Sequence, residues 1–587
     1  MHQSFTWIDW LVVVLYLCFT TWVGHRLRGE QSTIKDFFLG GKTLPWQAVT
    51  GSMIATEISA LTFIGVPGTV FAVNGDFTYL QWGLGSIIAR FMVGYWIVPL
   101  YYEREIYSPY DYMGNKLGNK IKGLVTFLFS LGSVLGQSVR VLVTAIILSV
   151  VTPLSIEWCI IAIGLFAIAW TLMGGMRTVI WTDVVQFFLF VGGGAIALVW
   201  LVFGVNGGWN QIVESSSHAR VIHLEWKGAK LERTEFTVKD ADVSKNLIVL
   251  EANRDGDPTL VGEVFEENGK TMVRADGQVI EARLELKDKM KLLDLRIFDP
   301  QTGKFLIYTL WIALLAMPFQ NFVAFGTDQL MAQRMFCCKC PEDARKAIVW
   351  SSVSQFITVL MLLVSAGLYA WYQQKPITTD EFMLFAKDTN YVFPVWITRV
   401  LFPGLSGLLI AGAFAAAISS LDSILAALSQ TTMSILYGRD KFEETGDSTS
   451  MVWKSRFMVI TWGLVLSGFA IVLNQIYQAG EKDLIGLAFR MVSYTYGPML
   501  GILLLAILPV RSSVKGIFVG TFVSIGIVAL ILPDAFNLLK LAGIDLSAWQ
   551  IQTSVPFPVF YPINAAITFF FGWIFARNSG SPDKKTV

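Results

Sequence analysis

A chain of 587 residues with 54% hydrophobic and only 15% charged side chains, and a mean hydropathy of +0.55, is too apolar for a soluble domain and reads as a polytopic membrane protein, with the lipid bilayer as its first partner. A net charge of +1 excludes the basic footprint of a nucleic-acid binder. Four histidines, none deep in an apolar span, remove the usual intramembrane proton relay. Five cysteines give no disulfide framework, and Cys337, Cys338 and Cys340 read as a plain thiol cluster ahead of a soft-metal site.

In chain order, the apolar runs predict thirteen spans, near 7–25, 45–71, 79–101, 124–151, 156–174, 179–204, 306–329, 347–371, 396–436, 455–475, 484–508, 515–533 and 557–576. The first is read as a retained helix, because no small-residue cleavage site follows it. The ninth is too long for one crossing and predicts a short outside helix before the true span. Basic residues follow the odd-numbered spans: Arg26, Arg28, Lys35 and Lys42; Arg104, Lys116, Lys120 and Lys122; Arg177; Arg334, Lys339, Arg345 and Lys346; and Arg439, Lys441, Lys454 and Arg456. That asymmetry predicts an N-terminus outside and the tail ARNSGSPDKKTV in the cytoplasm, in a cell membrane for which a bacterial inner membrane is the simplest setting.

The fold class expected is all-α, with one interruption. Residues 206–303 are charge-rich, and GEVFEENGKTMVRADGQVIEARLEL alternates like strands around the turn pairs Asn268-Gly269 and Asp276-Gly277. This predicts a small extracytoplasmic β-rich insert, an ornament or a docking module for an unidentified protein partner.

Charged residues inside apolar spans mark function by default: Glu57, Arg90, Arg140, Asp183, Asp422 and Arg490, with Arg399 more simply snorkelling from a helix end. Two segments read as broken helices. GSMIATEISALTFIGVPG (51–68) is weakened by Gly51, Gly65, Pro67 and Gly68, and AMPFQNFVAFGTDQ (316–329) by Pro318 and Gly326, beside the amides Gln320 and Asn321. Irregular backbone at membrane depth frees carbonyls that transporters use for ions, and two breaks five spans apart fit an inverted five-plus-five repeat. In AAAISSLDSILAALS, Ala416, Ser419, Ser420 and Ser423 share one helix face with Asp422 at its edge. Hard oxygens so grouped suit a small hard cation such as Na+; small-residue helix packing is the plainer alternative.

Three stretches in order, GGMRTVIWTDVVQ (174–186), GTDQLMAQR (326–334) and AAAISSLDS (415–423), resemble the sodium:solute symporter family. The resemblance runs over about residues 5–510 apart from the insert, and is nearest to bacterial Na+/sialic-acid and Na+/sugar members. It implies a LeuT-type fold: a leading helix and loop (1–40), a first repeat of five helices (41–205), the insert (206–303), a second repeat (304–510) and two trailing helices (511–587). It also implies a first Na+ site from the backbone carbonyls of Ala55, Ile58 and Ala416 with the hydroxyls of Ser419 and Ser420, and a possible second at Asp183, Ser419, Asp422 and Ser423. Asp422 departs from the serine of the sialic-acid members. The implied solute contacts are Ser59, Thr62, Phe77, Gln81 and Arg140, the arginine for a carboxylate. Glu57 replaces a neutral threonine, and either cancels Arg140 or holds an ammonium group; Gln320 and Asn321 join the set from the second break.

The expected function is Na+-coupled symport of a small polar solute by alternating access, a sialic acid or other sugar-like solute first, an amino acid or carboxylate second. A solute sensor without transport is the alternative from another class. An enzyme is not expected, because no nucleophile–base pair or metal cluster lies near bilayer depth.

Overall fold

The computed structural model describes residues 5–578 apart from 28–38, 73–74, 104–105, 107, 173–174, 218, 226–234, 243–246, 253–259, 268–269, 276–277, 300–302, 304, 376–380, 382–383, 386–387, 445–447 and 480–482. Among the described residues, ten helices are long and apolar enough to cross a membrane, or eleven if the bent pair at 46–71 is one span. The expected count of thirteen is therefore corrected. The run at 306–329 is split into helices of six and ten residues, Leu310–Leu315 and Met317–Gly326, and Ile156–Leu172, with 17 residues, falls short of a full span.

The elements that build the site are α1 (Trp7–Leu27), α2 (Trp46–Glu57), α3 (Val66–Phe71), α4 (Trp82–Met92), α5 (Asn119–Val151), α6 (Met176–Gly204), α7 (Met317–Gly326), α8 (Gln329–Met335), α9 (Ser354–Gln374), α10 (Leu405–Glu444) and α11 (Leu484–Ile507). The window of α10 that crosses the membrane is 94% buried, against 28% for α6, so α10 is the central staff, and Ser419, Ser420, Asp422 and Ser423 on it are buried. The overlong ninth run resolves as expected into a short helix, Val392–Val400, and then α10.

Both helix breaks are present. Between α2 and α3 the axis turns by 53°. Ile58 is extended (φ −76°, ψ 105°), and a wide π turn spans Leu61–Gly65. Pro67, at the start of α3, has no amide hydrogen to continue a regular ladder. The second break is at Ala316 (φ −118°, ψ −46°), with Pro318 in the first turn of α7.

The all-helical label is also corrected, and so are the bounds of the expected β-rich insert over 206–303. That interval opens on a helix, Gly208–Ser217. Its strands, β1 (Ala219–Glu225), β2 (Glu235–Asp242), β3 (Leu247–Ala252), β4 (Leu260–Glu267), β5 (Lys270–Ala275) and β6 (Gln278–Lys287), close into a sequential antiparallel barrel in which β1 pairs with β6. It ends in a strap of irregular backbone bonded to the membrane helices. The turn pairs 268–269 and 276–277 lie outside the described residues.

The strap is firmly held. Lys289 is buried, and its Nζ donates to the carbonyls of Val70, Ala72 and Gly75 at 2.9, 2.8 and 3.3 Å, satisfying the C-terminal end of α3 with a positive charge. Asp294 is gripped by Arg296 and Lys291. Burial raises its carboxyl, but those hydrogen bonds outweigh it and hold the group well below the usual carboxylate range.

Candidate functional site

A cavity of about 190 Å³ opens where the two breaks face each other. Of the solute-contact candidates, Glu57, Ser59, Thr62, Arg140, Gln320 and Asn321 line it. Phe77 and Gln81 do not. Both are buried, and the Gln81 amide is spent on structure: its Nε2 donates to Tyr308 O at 3.1 Å and its Oε1 accepts from Asp294 N at 3.2 Å. The strap thus takes the polar group that the sequence offered to the solute.

The charges in this cavity are sorted by partner. Arg90 is fully buried and forms an ion pair with Glu57. Its Nη1 donates to Ser354 Oγ at 3.0 Å, and its guanidinium lies 4.5 Å from the centre of the Phe325 ring. Glu57 is therefore paired with Arg90, not with Arg140. Asp328, at the start of α8, accepts from Tyr496 Oη at 2.6 Å and from Leu330 N at 2.9 Å. Arg140 makes one bond, Nη1 to Thr56 O at 2.9 Å, and its planar fork has more donors than that contact uses.

Two further cavity residues, Ser86 and Gln137, were not singled out from the sequence, and they share a feature with Gln320. The side-chain oxygens of Ser86, Gln137 and Gln320 are buried, line the cavity and lack a hydrogen-bond partner in the structure. Such groups are costly unless something satisfies them. Gln137 was findable, since it lies one turn before Arg140 on the same face of α5.

The first ion set gathers where α2 ends against α10. Ala55, Ile58, Ala416, Ser419 and Ser420 are all buried. Ser420 Oγ donates to Thr56 O and Ala416 O, both at 3.2 Å, which seats it against the break. A helix end leaves its last carbonyls without amide donors, and the last amide bond here is Ile58 N to Ile54 O. Neutral backbone and hydroxyl oxygens released in this way fit Na+.

The second set is different in kind. Asp183 Oδ1 accepts from Ser419 Oγ at 2.6 Å. Its Oδ2 accepts from Ser52 Oγ and from Arg334 Nη2 at 2.9 Å in an ion pair with both side chains fully buried. Arg334 also donates through Nε to Ser52 Oγ at 2.8 Å, through Nη1 to Leu330 O at 2.8 Å, and to Ser423 Oγ. Asp422 Oδ1 accepts from Ser423 Oγ at 3.1 Å, while its buried Oδ2 has no hydrogen-bond partner. The four candidates are thus together, with a guanidinium among them that the sequence showed only as a loop charge. The thiol cluster joins no site: Cys337 and Cys338 are buried, and burial pushes the Cys337 thiol up to about 12.

A family profile described as the Sodium:solute symporter family matches residues 37–249 and 259–524, well over half of the chain. The chain belongs to the sodium:solute symporter family. Curated relatives agree. The Sodium/glucose cotransporter of Vibrio parahaemolyticus is 24% identical over 546 residues, covering 89% of this chain and 85% of that one. The Sodium/sialic acid symporter SiaT of Proteus mirabilis (strain HI4320) is 22% identical over 526 residues, with 89% of each covered. The Sodium-coupled monocarboxylate transporter 1 of Xenopus laevis is 23% identical, covering 86% of this chain and 68% of that one. Among solved structures, a substrate-bound, outward-open Na+-coupled sialic acid symporter superposes with a TM-score of 0.69 at 20% identity, covering 99% of this chain and all of the other; that likeness establishes the shared fold. This sodium:solute symporter is a multi-pass membrane protein and a secondary active transporter, not an enzyme, with Na+ as its coupling ion.

Proposed function

We propose that the solute is anionic and sugar-like, with a carboxylate that docks on Arg140. The observation that carries this reading is the pairing of Glu57 with Arg90. It engages one carboxylate that would cancel Arg140, while Asp328 accepts from Tyr496 and Leu330 N; the Arg140 guanidinium lines the cavity with a single bond to the protein. The unpartnered oxygens of Ser86, Gln137 and Gln320 suit the hydroxyls of a polyol. Relatives named for sialic acid, glucose and monocarboxylates support a solute that joins these features. An amino acid is the second reading, favoured by Asp328 and Glu57, which line the same cavity and offer negative charge to an ammonium group.

In this account one Na+ binds at Ala55, Ile58, Ala416, Ser419 and Ser420, and ties the end of α2 to α10. A second binds at Asp183, Ser419, Asp422 and Ser423, with Asp422 Oδ2 as the oxygen that still lacks a partner. Solute meets Glu57, Ser59, Thr62, Arg140, Gln320 and Asn321, and closure then exchanges access from one side to the other. Loop charges orient the chain with its N-terminus outside, in a bacterial inner membrane. Two Na+ with one monoanion move one net charge, to which the membrane potential contributes ~2.3 kcal/mol per 100 mV.

The test is Na+-dependent binding of a sialic acid and of its neutral methyl ester to the purified protein. The acid is expected to bind at least about tenfold more tightly, the scale of one charge-assisted bidentate contact. Equal binding of acid and ester, or preference for a zwitterionic amino acid, contradicts the reading.

A further inference from the structure

The break at Ile58 has a consequence for a residue placed in neither ion site. In an unbroken helix the carbonyl of Thr56 would accept the amide four residues on. Here two side chains from other helices take that place: Arg140 Nη1 from α5 at 2.9 Å and Ser420 Oγ from α10 at 3.2 Å. They belong to the two halves of the proposed machinery, since Arg140 lines the solute cavity and Ser420 is in the first Na+ set. Thr56 is fully buried, and it lies between Ala55 and Ile58, whose carbonyls are in the same set.

We propose that Arg140 is a positioning residue for Na+ as well as the anchor of the solute, and that the Thr56 carbonyl is the link between them. This rests on the assignment of the first Na+ site above. A backbone carbonyl has two lone pairs, and here both are used, one by each side chain. Ser420, in sharing its hydrogen between Thr56 O and Ala416 O, turns its own lone pairs elsewhere and leaves them to the ion. Arg140, in donating through Nη1, fixes the carbonyl that orients Ser420. The fork geometry matters: a guanidinium holds Thr56 O with one N–H and still presents a parallel pair to a carboxylate. A lysine ammonium, on a flexible stem, cannot reproduce that division.

The sign of the coupling follows from charge. Without solute, Arg140 and Na+ are like charges on either side of the Thr56–Ser420 contact, and they weaken each other. A carboxylate on Arg140 cancels that repulsion and locks the fork, so Na+ binds more tightly. By linkage, Na+ strengthens solute binding by the same factor.

The experiment is Na+ binding to the purified full chain without solute, for wild type, Arg140→Lys, Lys540→Ala and Ser420→Ala, with a melting curve in Na+-free buffer to confirm folding. Arg140→Lys keeps the positive charge, so any change reports the lost fork and not altered repulsion. The solute-free Na+ Kd is expected to rise roughly tenfold in Arg140→Lys, the scale of one hydrogen bond from a charged donor, and to stay at the wild-type value in Lys540→Ala, an exposed residue that lines neither the cavity nor the ion sets. If Arg140→Lys does not fold, Arg140→Gln takes its place; it removes repulsion as well as the fork, so a solute-free Na+ Kd that still rises supports the inference and one that falls overturns it. Wild-type Na+ binding in the Arg140 variant, with Ser420→Ala impaired, overturns the inference and leaves the ion site standing. Wild-type Na+ binding in Ser420→Ala removes the ion site, and the inference falls with it.

Discussion

The two ion sets share Ser419 but differ in what already satisfies them. At the first, the oxygens are neutral: Ser420 donates to the Thr56 and Ala416 carbonyls, and Ser419 donates to Asp183. At the second, a fully buried arginine meets Asp183 and Ser423. A serine row on a helix looks alike in both readings. A resident guanidinium separates them, because a buried carboxylate with a matched partner is already at rest, while one without is a vacancy for charge. Asp183 and Asp422 illustrate the two conditions within one site.

Mutations can break this contrast. The largest expected effect is Arg334→Met, which leaves Asp183 buried and unpaired. Such a loss costs about 3–5 kcal/mol, and the melting temperature should fall by several degrees, with substantial recovery in the Arg334→Met, Asp183→Asn double variant. Unchanged stability in the single variant would mean that the pair is not a structural element. Next is Asp422→Asn. If its unpartnered oxygen receives the second ion, the number of Na+ carried per solute drops from two to one in reversal-potential measurements on proteoliposomes, while solute binding persists at high Na+.

Two smaller effects sharpen the contrast beyond the ion sites. Arg90→Gln frees Glu57 to turn to Arg140, and anionic solute should bind roughly tenfold more weakly while a neutral sugar is unaffected or improved, as expected for one charge pair in a shielded cavity. Equal losses for both solutes would assign Arg90 to packing alone. Smallest is Lys289→Met, which leaves the Val70, Ala72 and Gly75 carbonyls without their shared donor. Unsatisfied buried groups cost about 1–3 kcal/mol, and the loss should appear in thermal unfolding and as faster amide exchange in residues 66–72 than elsewhere in the bundle.

What was legible in the sequence was local. Gly65, Pro67 and Pro318 mark breaks because backbone chemistry acts within a few residues, and the face shared by Ala416, Ser419, Ser420 and Ser423 follows from helical period alone. The grouping of Glu57, Ser59, Thr62 and Arg140 about one cavity was reached through resemblance, and the structure brings them together. What was not legible was partnership at a distance. Asp183 and Arg334 are 151 residues apart, Glu57 and Arg90 are 33 apart, and Gln81 is claimed by a strap 213 residues later. Hydropathy sees no difference between a span and a pair of short helices, which is why thirteen was predicted from runs such as 306–329. The barrel's closure of β6 onto β1 likewise depends on pairing that period-two alternation does not specify.

The measurement that tests the central claim most directly is solute-stimulated uptake of radioactive Na+ into proteoliposomes, wild type beside Ser420→Ala. An anionic sugar is expected to drive Na+ entry in the wild type, and Ser420→Ala to abolish it, because its hydroxyl is the only one in the first set that reaches the broken end of α2. Undiminished Na+ entry in Ser420→Ala would contradict the account.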